Sequence, residues 1–403
     1  MNARSAKEVV FRGGRLADGR LVDLTVRDGV VHVVQAAIPS SPDDEDLCGL
    51  LLLPALVDGH VHLDKTFLGL PWRSHRAGPT VRHRIEAEKA GRGDLGLSVE
   101  RRALNFLDRA LSRGTVALRS HVDIDPACKL DHLHGVMAAR EARRGRIDVQ
   151  LVAFPQSGLL TAPGVSDLLD AALREGVELV GGIDPIGVDG DLDGHLDAVF
   201  GLAERHGVGV DIHLHDPGYQ GALELRAIAE RTRVLGLGGR VTVSHAFALA
   251  TIDAKTLAIT AEALAVAGVT ILTNGPGPTP LIPIETLRAA GVAVAAGSDN
   301  VRDAWSPFGN ADMLERAMLI AYRAGFRTDE GLATALALAT TASATMMGRP
   351  SHGLAVGHVA DFIAVDAETP AEAVVDRPPR ALVVKAGRVV ARDGSLVREN
   401  VSA

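Results

Sequence analysis

Short apolar runs recur along the middle of the chain, near 51–57, 115–120, 147–154, 178–183, 208–214, 241–245, 269–274 and 292–297. They are continuous and rich in valine and leucine rather than alternating, the pattern of strands buried on both faces of a parallel sheet. Between them lie stretches such as Ser98–Arg113, Asp193–His206 and Ala222–Val234, whose apolar positions recur at helical spacing. Eight strands alternating with helices predict an α/β fold, a (β/α)8 TIM-like barrel, with an open doubly wound sheet as the competing arrangement. The two ends of the chain read differently. Residues 8–35 hold short strands around an Asp28-Gly29 turn, and 361–391 hold more, around Ala386-Gly387. We therefore expect a small β-sandwich domain composed of residues 1–54 plus 352–403, and a barrel over residues 55–351.

The strand ends favour the barrel. They carry His60 and His62, His121, Gln156, Asp184, His213, His245, Asn274 and Asp299. A barrel gathers all its C-terminal strand ends at one mouth, whereas an open sheet scatters them along an edge. Polar side chains that serve only packing cost stability when buried, so their recurrence at one end points to a shared site.

Composition narrows the chemistry. A formal net charge of -8 and 3% aromatic residues argue against a nucleic-acid surface or a stacking platform for single strands. The two cysteines, Cys48 and Cys128, lie in no CxxC or Cys/His cluster, which excludes a disulfide framework and a thiolate zinc site. The N-terminal residues lack an apolar signal segment, and the run Leu50–Val57 is too short for a membrane span, so the expected location is cytoplasmic.

In His60-Val61-His62 the two imidazoles stand at i and i+2, on one face of an extended strand. With His213 and Asp299 they make a mixed nitrogen and oxygen set for one divalent metal ion, zinc or iron. Such an ion makes water acidic enough to react near neutral pH. In that arrangement Asp299 both touches the metal and holds the reacting water, His245 donates to the oxygen on the attacked carbon, and Asp216 relays the proton.

These residues stand in ordered stretches: His60-Val61-His62-Leu63-Asp64, Arg119-Ser120-His121-Val122-Asp123, Ala153-Phe154-Pro155-Gln156, Asp211-Ile212-His213, Ser244-His245, and Ser298-Asp299-Asn300 running on to Trp305. Taken together they resemble the amidohydrolase superfamily, in its cytosine deaminase-like branch. The resemblance implies that His60, His62, His213 and Asp299 bind one metal and that His245 and Asp299 handle water and the tetrahedral intermediate. It also implies that Gln156 pairs with a cyclic O=C–N edge and that Trp305 walls the pocket against a flat ring.

Two positions depart from that branch. Where the deaminases have HxxE, this chain has His213-Leu214-His215-Asp216, with an acid shorter by roughly 1.5 Å of reach. Where they have two acids after the eighth strand, it has Asp299-Asn300, which puts an amide against the substrate ring. His215 is then either a side chain that orients a ligand or a residue of the rim, and Lys65 an ion-pair partner near the mouth. The expected function is hydrolysis of a C–N bond in a small N-heterocycle, with deamination of a cytosine-like or related amino-azine as the leading form. Opening of a cyclic amide or ureido ring, or removal of an N-alkylamine, is the alternative, and a metal-containing binding protein without turnover is a further one. The cysteine-ligated deaminases are excluded, because their H-x-E…P-C-x-x-C pattern is absent. The partner is a small heterocyclic molecule, and a homo-oligomer is in keeping with the family.

Overall fold

The computed structural model describes residues 8–36, 44–75, 78, 80–91, 93 and 95–398. The outer parts of the composite β domain, residues 1–7 and 399–403, and its stretch 37–43 lie outside the described residues. The N-terminal residues read for a signal segment fall there too.

The chain begins with strands β1 (Glu8–Arg15), β2 (Leu21–Arg27), β3 (Val30–Ala36), β4 (Glu45–Asp46) and β5 (Leu51–Pro54). Then come β6 (Leu56–Val61), β7 (Thr115–Asp123), β8 (Asp148–Phe154), β9 (Leu179–Ile183), β10 (Gly209–Leu214), β11 (Val241–His245), β12 (Thr270–Thr273) and β13 (Ala293–Ala296). It ends with β14 (Phe362–Val365), β15 (Arg380–Lys385), β16 (Arg388–Arg392) and β17 (Ser395–Leu396). β6 to β13 form one eight-stranded sheet in sequence order, each strand parallel to the next, with helices between most of them. A parallel bridge between Val61 and Asp299 brings its two edges together, with the Asp299 N–H donating to the His60 carbonyl at 2.7 Å. This is the nearly closed TIM-like barrel that the repeating runs predict. Closure requires two glycines: a Cβ on Gly59 would stand 2.8 Å from the Ala296 carbonyl oxygen, and one on Gly297 2.6 Å from the His60 nitrogen.

Both termini share one nine-stranded mixed sheet, ordered β17-β16-β15-β14-β5-β1-β2-β3 with β4 beside β1. Asp28 and Gly29, and Ala386 and Gly387, all have positive φ, the geometry of the two-residue hairpin turns that their sequences favour. The sheet curls over its own core of Phe11, Leu24, Val26, Phe362, Leu382 and Val384, so that the Val31 amide reaches the His358 carbonyl.

One buried ion pair fastens this sheet to the foot of the barrel. The Asp361 carboxylate accepts from Lys385 Nζ at 2.8 Å, Arg349 at 3.0 Å and the Ala386 amide at 2.7 Å. Lys385 also reaches Asp148, where β8 begins, at 2.7 Å. Asp361→Ala leaves a buried ammonium without its main counter-charge, and a stability loss of about 3–5 kcal/mol is expected. Urea denaturation measures it; a midpoint equal to that of the parent would show that Asp148 alone compensates Lys385.

The helix Val81–Gly91 was not foreseen. Its sequence, VRHRIEAEKAG, is charged on most faces, and only Glu88 among its residues is buried. No helix among the described residues is long and apolar enough to cross a membrane.

Candidate metal centre and active site

His60 and His62 stand at the C-terminal end of β6, His121 in β7, His213 in β10 and His245 at the end of β11, and all five are buried. Asp299 follows β13. The barrel brings these rings together: His60 lies 4.6 Å from His213 and 5.3 Å from both His62 and His245, centroid to centroid. His213 Nε2 faces His62 Nε2 at 3.4 Å, and Asp299 Oδ1 stands 3.5 Å from His60 Nε2 and 3.4 Å from His62 Nε2.

These separations suit a shared cation. Ligand atoms placed tetrahedrally about 2.1 Å from a metal are about 3.4 Å from one another. Of these facing nitrogens, His60 Nε2 is buried without a hydrogen-bond partner, which is costly unless a cation takes its lone pair. Ligand atoms of His60, His62 and His213, and of His60, His245 and Asp299, cluster within 4.8 Å. Burial, and then the Lys65 ammonium, push His62 down to about 4, and burial holds His213 well below its usual range, so these rings are neutral and hold lone pairs for a metal.

A hydrogen-bond chain below the cluster fixes one tautomer. Arg119 donates to Asp211 at 2.8 Å, the Ser244 hydroxyl donates to Asp211 at 2.9 Å, and His60 Nδ1 meets Ser244 Oγ at 2.8 Å. Ser244 has one hydrogen, and Asp211 takes it. His60 must therefore donate from Nδ1, which leaves the Nε2 lone pair facing the cluster. Nothing in the local pattern Arg-Ser-His or Val-Ser-His discloses this chain, because its members come from four strands.

Asp299 is held at the closure. The Asp58 carboxylate accepts from the Ser298 amide at 2.8 Å, and Asn274 Nδ2 donates to Asp299 Oδ2 at 2.6 Å. Burial alone would raise the Asp299 carboxyl, but the His60 and His62 rings hold it well below its usual range. Asp299 has φ of 60° and His245 of 74°, conformations rare outside glycine that concentrate at functional sites.

The other sequence-derived candidates sit on the rim, and each has a protein partner. Gln156 Oε1 accepts from Lys65, while its Nε2 donates to Glu88 at 2.9 Å and to Asp123 at 3.3 Å. Trp305 Nε1 donates to the same Glu88 oxygen at 2.6 Å. Asn300 donates to Asp303 at 2.6 Å. Lys65 meets Asp123 at 3.0 Å and lies 5.4 Å from the centre of the Phe154 ring, which stacks on His213 at 4.0 Å. Although burial pulls the Lys65 ammonium down, Asp123, Glu88 and Asp64 hold it above its usual range. Glu88 was missed in the sequence because its helix has no apolar stripe to announce it.

Asp216 and His215 divide unexpectedly. The Asp216 carboxylate accepts from the Gly187 amide at 2.7 Å, at the side of the site. The His215 ring instead stacks on His245, 4.5 Å between centroids and 25° between planes, and its Nδ1 lies 2.8 Å from Asp184 Oδ2. Burial disfavours the His215 imidazolium, but the Asp184 carboxylate outweighs it and raises the ring above its usual value. The arrangement as a whole offers a cation cradle, one carboxylate able to take a proton, and two stacked imidazoles beside them.

Two clefts open against the helix Val81–Gly91. One has apolar walls from Phe67, Leu70, Pro71, Trp72, Ala304 and Pro307, and the other includes Asp64, Lys65, Glu88, Arg102 and His132.

Known proteins share this architecture. The structure of N-isopropylammelide isopropylaminohydrolase from Burkholderia multivorans ATCC 17616 superposes with a TM-score of 0.93 and 41% identity, covering 97% of this chain and 100% of that one. N-isopropylammelide isopropyl amidohydrolase of Pseudomonas sp. (strain ADP) is 30% identical over 400 residues, 97% of this chain and 98% of that protein. The 5-methylcytosine deaminase of Klebsiella pneumoniae, liganded with 5-fluorocytosine, gives a TM-score of 0.83 at 26% identity, over 97% and 99% of the two chains. The profile of the amidohydrolase family matches residues 45–391. With its barrel, its buried histidine cluster and a match along most of its length, the chain belongs to the amidohydrolase family and is a hydrolase of C–N bonds other than peptide bonds.

Proposed function

We propose that this protein removes an alkylamine from an N-alkylamino-substituted oxo-azine ring, with N-isopropylammelide as the reference substrate. The observation that carries the reading is the 41% identity, over nearly the whole of both chains, to an isopropylammelide isopropylaminohydrolase. The alternative drawn from the sequence thus gains over the deamination that led there, and the 26% identity to a methylcytosine deaminase leaves ammonia release as the second reading. The apolar cleft beside Ala304 suits a substituent that carries hydrocarbon.

His60, His62, His213 and Asp299 would hold one zinc or iron ion, whose chemistry is to acidify water and polarise the attacked carbon. Asp299 takes a proton from the attacking water, whose oxygen bonds to the ring carbon bearing the alkylamino group. His245 faces the oxygen of the resulting tetrahedral centre and donates to it. His215, steadied by Asp184, delivers a proton to the exocyclic nitrogen, so that the C–N bond breaks and a neutral amine departs. The hydroxyl proton passes to the ring nitrogen, so that the ring keeps the oxygen as an oxo group, and the proton taken by Asp299 restores His215. Lys65, Gln156, Asn300 and Trp305 line the ring's approach, and Glu88 and Asp303 set the direction of their donors.

Incubation with N-isopropylammelide, and separately with cytosine, tests the reading through the released base. Isopropylamine from the first and little ammonia from the second is the expected result. The reverse pattern would restore deamination, and tight binding with no product from either would favour a binding protein. Removal of bound metal by a chelator should abolish release, and one equivalent of zinc or ferrous ion per chain should restore it. Full activity in protein shown by elemental analysis to be metal-free would contradict the cradle.

A further inference from the structure

Three carboxylates knit the turn after β9 to the segment after β10. Asp184 closes the turn on one side, accepting from both the His215 backbone amide and its ring. Two residues on, the Ile186 amide donates to Glu224 Oε1 at 2.8 Å, and the next amide, Gly187, donates to Asp216 Oδ2 at 2.7 Å. Glu224 belongs to the helix Gly218–Val234 and is fully buried. Its second oxygen, Oε2, has no hydrogen-bond partner.

Burial, with Asp216 adding to it, pushes the Glu224 carboxyl up to about 8. The space is shaped for an aspartate. A Cβ on Gly187 would stand 2.2 Å from Asp216 Oδ1, and one on Gly221 2.1 Å from the Asp216 carbonyl oxygen. One extra methylene at position 216, about 1.5 Å, would push against the turn that it now holds.

We propose that Asp216 and Glu224 together clasp the 184–187 turn through its backbone amides, and are positioning residues that act on His215 through Asp184. The proposal rests on the role given to His215 above. It explains why a carboxylate three residues after a metal-binding histidine is spent on a backbone amide: together with the turn's own backbone bonds it sets the place of Asp184, and of the imidazole with it. A displacement of the order of 1 Å at a proton donor is enough to slow its step strongly.

The test is a double-mutant cycle on zinc-loaded protein with N-isopropylammelide, with kcat, KM and bound metal all measured. Glu224→Gln keeps shape and an acceptor for the Ile186 amide, and is expected to stay within about threefold of the parent. Glu224→Leu should lower kcat by about 10–100-fold with KM and metal content little changed, and on a His215→Ala background the same change should cost less than about threefold. Should Glu224→Leu not fold, Gly187→Ala replaces it in the cycle, since its methyl strikes the Asp216 carboxylate and leaves Glu224 in place. Costs that simply multiply in the double variant would overturn the clasp, as would a Glu224→Gln variant no better than Glu224→Leu. A fully active His215→Ala protein would instead overturn the role of His215 itself, and the clasp with it.

Discussion

Asp299→Asn should yield a folded protein with kcat lowered by at least about 10³-fold. The carboxylate sits between two demands. Oδ1 stands 3.4–3.5 Å from the His60 and His62 nitrogens that face the cation cradle, and Oδ2 accepts from Asn274 at 2.6 Å. An asparagine can keep only one of these. With its oxygen toward Asn274, its amide hydrogens point at the converging lone pairs and oppose a cation there. With its oxygen toward the cradle, its amide faces the Asn274 amide, donor to donor. In neither state can it take a proton from water. The substitution preserves volume, and the backbone bond from Asp299 to His60 that closes the barrel is untouched, so circular dichroism and thermal unfolding should remain close to those of the parent. Bound metal, measured in the same sample, separates loss of the ion from loss of the proton acceptor. Near-parental turnover would exclude Asp299 from both tasks.

The barrel could be foreseen because its signal is local and repeated. The strands from Thr115–Asp123 to Ala293–Ala296 are mostly apolar and buried, and a polar side chain stands at or just beyond the C-terminal end of each. The convergence of His60, His62, His213, His245 and Asp299 follows from barrel geometry once the strand order is accepted. What stayed hidden depends on long-range contact. Glu88 lies on a helix whose only buried position is that one carboxylate, so no periodicity marks it. The path from Arg119 through Asp211 and Ser244 to His60 crosses strands far apart in sequence. At the fifth barrel strand the two residues after Leu214 are placed apart. In an extended segment residues 213 and 215 share a face, and the ring of His215 does stack beside His245. Asp216 has the opposite parity and reaches Gly187. The HxxE pattern drew notice to the third residue after His213, where strand alternation alone would have pointed to the second.

The chemistry of the departing amine provides a sharper test of His215 than a rate alone. His215→Ala removes a ring that stacks on His245 at 4.5 Å and is bound to Asp184 at 2.8 Å. A lost general acid costs about 10²–10⁴-fold in kcat. The loss should depend on what leaves. An aliphatic amine is a poor leaving group as its anion and needs the proton before or as the C–N bond breaks. An aniline, or better a nitroaniline, leaves with less help. Across a series of oxo-triazines carrying isopropylamino, anilino and nitroanilino groups, the parent protein should vary little and His215→Ala should recover steeply as the amine becomes less basic. Asp184→Asn should behave as a weaker form of the same variant, because the ring remains but its Nδ1 loses a charged partner. A defect in metal binding or in ring recognition would slow all members of the series alike. A uniform loss across the amines would therefore assign His215 to holding the ring or the cation, and would move the proton that reaches the leaving nitrogen to another group, with His245 the nearest imidazole able to carry it.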